Sequence, residues 1–152
     1  KNRYSRGMAK KVILSGIMAE PDEFLDIFSE FNIAVVADDL AQESRQFRTD
    51  VPSGIDPLEQ LAQQWQDFDG CPLALNEDKP RGQMLIDMTK KYNADAVVIC
   101  MMRFCDPEEF DYPIYKPEFE AAGVRYTVLD LDIESPSLEQ LRTRIQAFSE
   151  IL

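Results

Sequence analysis

No histidine occurs in the 152 residues of the chain, which removes imidazole acid–base chemistry and imidazole metal ligation from this segment. Basic residues are also scarce, with 16 Lys and Arg against 28 Asp and Glu for a formal net charge of -12. Nucleic acid and anionic membranes both require a basic face, so neither is expected as a partner. No apolar run approaches the roughly 20 residues that cross a bilayer, and the opening KNRYSRGMAKK is too polar for a secretory leader. Cysteine is limited to Cys71, Cys100 and Cys105. Three widely spaced thiols build no disulfide framework and match no zinc-ribbon or ferredoxin pattern, so free or metal-bound thiols in a cytoplasmic protein are expected. Neither a dinucleotide fingerprint nor a Walker lysine is present, and Gly16 alone makes no phosphate cradle.

What remains is a globular composition, 45% hydrophobic and 29% charged, of a length suited to one domain with its own core. The start at Lys1 rather than a methionine reads as a piece of something longer. Residues 1–9 form a polar extension and residues 10–152 a single α/β domain. Val12 to Leu14 read as a short strand closed by Ser15 and Gly16. Glu20 to Glu23 start an acidic helix whose apolar face runs from Phe24 to Phe31. Ile33 to Ala37 form a second strand that stops where Asp38 and Asp39 bring charge. Leu40 to Arg48 read as a short helix or ordered loop, followed by a break at Pro52, Ser53 and Gly54. Asp56 and Pro57 cap a helix that puts Leu58, Leu61, Trp65 and Phe68 on one face, expected to pack in the core. A further helix carries Met84, Leu85 and Met88 and ends near Asn93.

The organising stretch is ADAVVICMMRFCDPEEFDYP. Its apolar run Ala96 to Met102 has the length and continuity of a strand buried on both faces of a parallel sheet. Asp106, Pro107 and Glu109 then read as N-cap, first helical residue and capping-box acid. Pro113 and Pro117 are expected to break the segment after Glu109 into a short turn, a link and a helix from Pro117 to Ala122. Val124 to Leu131 supply a fourth strand, and Ser137 with Gln140 a capping box for the last helix. Strands and helices alternate. The expected fold is therefore a three-layer, flavodoxin-like α/β sandwich, with four parallel strands in order 2-1-3-4 and helices on both faces.

That order opens a crevice at the carboxyl ends of the first and third strands and would bring Ser15, Gly16 and Ile17 beside Cys105. Cys105 follows the central strand at a helix amino terminus, where unpaired NH groups favour a thiolate able to ligate metal; a small buried hydrophobe is the alternative. Cys100 reads as core, and Cys71, in a loop before proline, as either chance or site. Asp38 and Asp39 could bind a cation or orient substrate, or be hydrogen-bonded loop or interface groups. Arg45 and Arg48 could reach an anionic ligand, with internal pairing to those acids favoured.

The strings VVADDLAQESRQFR, DPLEQLAQQW, GCPLA, ADAVVICMMRFCDPEEFDYP and LEQLRTRIQAFSE resemble the carboxyl-terminal part of a 2-hydroxyacyl-CoA dehydratase subunit, particularly the beta (D) component of the 2-hydroxyglutaryl-CoA type. The likeness covers roughly Val12 to Leu152, and FCDPEEFDYP is its most specific string. The same family contains the small subunits of benzoyl-CoA reductase. The resemblance implies a larger subunit of two α/β domains, paired with a homologous second subunit. It implies a 4Fe-4S cluster held by three cysteines, two from a missing amino-terminal domain and one matching Cys105. It further implies radical dehydration of an (R)-2-hydroxyacyl-CoA to an enoyl-CoA. An ATP-dependent iron-sulfur activator would donate an electron to the thioester carbonyl, and the ketyl so formed expels hydroxide. Lacking the first domain, the segment alone is expected to fold but to hold no complete cluster and to be inactive. A benzoyl-CoA reductase-type subunit and a non-enzymatic flavodoxin-like binding module are the competing expectations. A receiver-type module would need a lysine at a later strand end, where Asp130 and Asp132 stand instead.

Overall fold

The computed structural model describes residues 9–54, 56–74, 76–132 and 137–152. Four strands, β1 (Lys10–Gly16), β2 (Ile33–Leu40), β3 (Ala96–Met102) and β4 (Arg125–Leu131), form one parallel sheet in the order β2-β1-β3-β4. Five helices accompany them: α1 (Asp22–Glu30), α2 (Pro57–Gln66), α3 (Arg81–Tyr92), α4 (Asp106–Ala122) and α5 (Leu138–Ile151). The expected three-layer, flavodoxin-like architecture is the one observed. No described helix is long and apolar enough to cross a membrane.

The period-two alternation of β3 generates the layers. Ala96, Val98 and Cys100 join one core with Phe24, Ile27 and Phe28 of α1 and Leu141, Ile145 and Phe148 of α5. Val97, Ile99 and Met101 point the other way and pack with Leu85 and Ile86 of α3 and Tyr115 and Phe119 of α4. With both faces covered, β3 has to be apolar at every position. Each large side chain so buried stabilises by about 1.5–3 kcal/mol, which makes β3 and its two flanking helix pairs the frame of the molecule.

Five expectations require correction. β2 does not stop at Ala37 but continues through Asp38 and Asp39 to Leu40, because those residues pair with Leu14, Ser15 and Gly16 of β1. A buried carboxylate is tolerable in a strand when it is paired, as Asp39 is. α4 is one continuous helix of 17 residues despite Pro113 and Pro117. An interior proline costs about 3 kcal/mol, and here burial of Tyr115 and Phe119, in a ring cluster with Tyr112 and Tyr126, offsets it. The residue at the α4 N-cap is Cys105, one before the expected Asp106, and it makes no side-chain cap bond. Ser137 likewise caps α5 by position without a side-chain bond. Finally, α2 buries none of its residues: Leu58 is 76% and Trp65 72% exposed. Its apolar periodicity is matched by no facing element among the described residues. Its start agrees with expectation, with Asp56 Oδ1 accepting from the Leu58 N–H at 2.8 Å.

Candidate functional site

At the carboxyl edge of the sheet the chain assembles a buried network of charges. β1 ends in Ser15, fully buried, and Gly16. Gly16 sits opposite Cys100 of β3 with φ 155°, and a Cβ there would overlap the Cys100 carbonyl oxygen. Glycine is therefore required where β1 and β3 approach at their ends. From β2, Asp39 turns its carboxylate under this edge and accepts from Ser15 Oγ at 3.0 Å. A short 3-10 helix, Ser44–Gln46, then brings Arg45 back over Asp39.

Arg45 is 1% exposed. Its Nε and Nη2 donate to the Asp39 carboxylate at 3.2 and 3.1 Å. Nη2 also donates to the carbonyls of Asp39 at 2.8 Å and Gly16 at 2.9 Å. Its Nη1 lies 3.5 Å from Glu108 Oε1 and 3.7 Å from Cys71 Sγ. Arg48 donates to the same Asp39 carboxylate and to the Asp69 carbonyl. The favoured pairing of these arginines with the nearby acids is thus what the structure contains, on Asp39 in both cases. Asp38 plays a separate part: its Oδ1 accepts from the N–H groups of Ser44 at 3.0 Å and Leu40 at 3.2 Å, shaping the turn out of β2.

The other half of the network has no counterpart among the sequence expectations. Arg81, first residue of α3 and 2% exposed, donates from Nη1 to Glu108 Oε2 at 2.7 Å and from Nη2 to Ser15 Oγ at 2.9 Å. Asp111 Oδ2 lies 3.7 Å from Arg81 Nη1, and Lys79 Nζ 3.5 Å from Asp111 Oδ1. Burial by itself would lower the Arg81 pKa, but the charges of Glu108 and Asp39 outweigh it and raise it, so the cation is permanent. Arg81 Nε, 3.4 Å from Asp39 Oδ2, lacks hydrogen-bond geometry, and among the described residues the buried Tyr115 hydroxyl has no partner either. The sequence does carry one signal: an arginine in the first turn of a helix opposes the macrodipole, and a buried carboxylate facing it removes that conflict. Glu108 gives no such signal, since an acid in a first turn looks like ordinary helix-start chemistry.

Beside Arg45 opens a cavity of about 700 Å³ walled by Trp65, Phe68, Leu73 and Cys71. Cys105 sits between the end of β3 and the start of α4. Its N–H donates to the Met102 carbonyl at 3.2 Å, and its carbonyl accepts from Glu109 N at 3.0 Å. The register places Gly16 against Cys100, so Ser15 and Gly16 reach α4 through Arg81, Arg45 and Glu108. The preceding residue, Phe104, has left-handed backbone at φ 64° and is 93% exposed, a strain of about 1–3 kcal/mol of the kind that persists where surroundings over-determine the chain.

The three thiols differ in what they can ligate. Cys100 is enclosed, and burial together with the Glu108 charge pushes its pKa to about 12, leaving a neutral thiol. Cys71 is buried against Arg45. Cys105 is half-buried. Among the described residues no group of three or more Cys, Asp or Glu side chains could hold a metal ion. Among the described residues Cys105 could offer one sulfur and no more, so a metal group there would need its remaining ligands from outside them.

Over residues 1–152 the chain matches the family model of 2-hydroxyglutaryl-CoA dehydratase, D-component. It is 54% identical over 144 residues to the lactoyl-CoA dehydratase subunit beta of Anaerotignum propionicum and 44% identical over 143 residues to the (R)-phenyllactyl-CoA dehydratase beta subunit of Clostridium sporogenes, covering 94% of this chain in each case. Identity to the (R)-2-hydroxyglutaryl-CoA dehydratase subunit beta of Acidaminococcus fermentans is 31% over 146 residues, 93% of this chain. The chain spans 38% of the length of each of these relatives. It belongs to the 2-hydroxyglutaryl-CoA dehydratase D-component family.

Proposed function

We propose that this chain is the carboxyl-terminal α/β domain of the beta subunit of a 2-hydroxyacyl-CoA dehydratase, which removes water from an (R)-2-hydroxyacyl-CoA to give an enoyl-CoA. The observation that carries the reading is Cys105: the one thiol not buried, held at the β3–α4 junction of a chain similar to three dehydratase beta subunits. Those names favour dehydration over the aryl-ring reduction of benzoyl-CoA reductases. Nothing in the network favours a plain binding module, since its arginines are occupied internally.

Cys105 would be one of three cysteine ligands to a 4Fe-4S cluster, the others coming from the amino-terminal domain of the same subunit. When bound, that group supplies single-electron chemistry for a substrate whose β-hydrogen is scarcely acidic. The chain's own contribution is mechanical and electrostatic. The ion network locks the ends of β1 and β2 to the first turns of α3 and α4, so the edge that bears Cys105 is rigid. The apolar sandwich behind β3 excludes water and sets a low dielectric beneath the site. A homologous second subunit, an ATP-dependent iron-sulfur activator and an acyl-CoA are the partners this reading requires, and reduced thiols suit a cytoplasmic setting. The 152-residue chain alone turns nothing over.

The test is iron analysis of the full-length subunit prepared anaerobically. Cys105→Ser lowers the iron-to-protein ratio and the visible charge-transfer absorbance strongly, and the isolated chain binds no stoichiometric iron. Unchanged iron in the variant would remove Cys105 from the site. A stable cluster in the isolated chain would assign ligand roles to Cys71 or Cys100.

A further inference from the structure

We propose that Glu108 is the positioning residue for Cys105: its buried carboxylate, gripped by Arg81 and Arg45, fixes the first turn of α4 and hence the point at which the thiol is presented. The proposal rests on the reading of Cys105 as a cluster ligand.

Burial around Cys105 is the first ground. From Phe104 to Phe110 the only fully buried side chain is Glu108; Phe104, Asp106, Glu109 and Phe110 are exposed, and Cys105 and Pro107 are intermediate. Apolar packing therefore does not anchor this turn. A carboxylate does, with Oε2 2.7 Å from Arg81 Nη1 and Oε1 3.5 Å from Arg45 Nη1. Those arginines are themselves bound to the end of β1, through Ser15 Oγ at 2.9 Å and the Gly16 carbonyl at 2.9 Å. Glu108 thus ties α4 to the central strands by directional bonds that resist rotation of the helix about its axis.

The second ground is the helix ladder. Cys105 moves with the first turn because its carbonyl accepts from Glu109 N at 3.0 Å. Farther along, Pro113 has no N–H to offer the Glu109 carbonyl and Pro117 none for the carbonyl of Pro113. The first turn is joined to the well-packed part of α4, around Tyr115 and Phe119, by an interrupted series of hydrogen bonds. A turn with weak backbone continuity, little apolar burial and a left-handed residue before it keeps a single position only if a side chain holds it. Among the described residues Glu108 is the side chain placed to do so.

The experiment compares the full-length subunit, prepared anaerobically, with its Glu108→Asp, Glu108→Gln and Cys105→Ser variants. The readouts are amide hydrogen exchange and the electron paramagnetic resonance line shape of the reduced cluster. In both Glu108 variants residues 105–109 exchange at least about tenfold faster while residues 96–102 of β3 do not, and the line shape changes. Glu108→Asp retains the charge and retracts the carboxylate by one methylene, so it remains informative if Glu108→Gln, which leaves two buried cations short of a partner, does not fold. An aspartate variant with the parent's exchange and line shape would reduce Glu108 to a source of charge and overturn the proposal. Loss of iron in Cys105→Ser alongside that result would leave the ligand assignment standing. Unchanged iron and line shape in Cys105→Ser would overturn the assignment and the proposal together.

Discussion

Arg81 and Glu108, 27 residues apart in the chain, meet at 2.7 Å with both side chains closed off from solvent. Their contact joins the first turns of two helices that pack on the same face of the sheet. A pair of this kind gains little over an apolar substitute but is costly to break from one side, because the survivor stays charged and unsolvated. Arg81→Met is therefore expected to destabilise the chain by about 3–5 kcal/mol, read as a shift in urea midpoint at constant slope. Arg81→Met combined with Glu108→Gln should recover part of that loss. A double variant no more stable than the single would show that the two groups are not coupled.

Where the deciding interactions lie determines which features are legible in the sequence. The run Ala96–Met102 can be read to the residue because burial on both faces leaves a strand no choice but continuous apolarity. Strand order 2-1-3-4 makes the meeting of Ser15 and Gly16 with the end of β3 legible, and charge makes the pairing of Arg45 with the acids Asp38 and Asp39 legible. Asp38 faces the turn instead, since alternate residues of a strand point to opposite sides. Arg81 and Glu108 are not legible, because a buried ion pair is a property of two distant positions and each looks ordinary by itself. The helix through Pro113 and Pro117 escapes the sequence pattern for a related reason: the local penalty is visible there, whereas the ring cluster that offsets it is not. α2 shows the opposite error, an apolar stripe that promises a core which the described residues do not provide.

Titration of Cys100 gives a second test of the network's surroundings. Its thiol, ordinarily near 9.0, is pushed up to about 12, chiefly by burial and then by the Glu108 charge. Between those values an unfolded chain gives up the proton while the folded chain keeps it, so the unfolded state binds fewer protons and stability falls as pH rises. Tyr126, raised to about 12 mainly by burial, and Tyr115, also raised by burial, act in the same direction starting near 10.0. Unfolding midpoints should hold steady up to pH 9 and decline beyond it. In Cys100→Ala the decline from pH 9 to 12 should be shallower by up to about 1.4 kcal/mol per pH unit, the worth of one proton. Identical slopes in the two proteins would show that Cys100 ionises alike folded and unfolded. The same burial predicts that iodoacetamide labels Cys105 well before Cys100 in the native chain.

Trp65, the only tryptophan, tests the exposed face of α2 without any label. Its indole is 72% exposed and touches Phe68 edge-on, with ring centroids 5.5 Å apart. Solvent at that distance from the core should give the 152-residue chain a red-shifted emission, readily quenched by acrylamide and altered little when the domain is unfolded. Because α2 buries no side chain, Trp65→Ala removes almost no contact that folding creates, and the expected change in stability is within about 0.5 kcal/mol. By contrast, truncating an enclosed ring such as Phe119, at 0% exposure, should cost about 3–5 kcal/mol. A blue-shifted, poorly quenched emission, or a Trp65→Ala penalty approaching that of Phe119→Ala, would mean that the stripe of Leu58, Leu61 and Trp65 is folded into the domain's core after all.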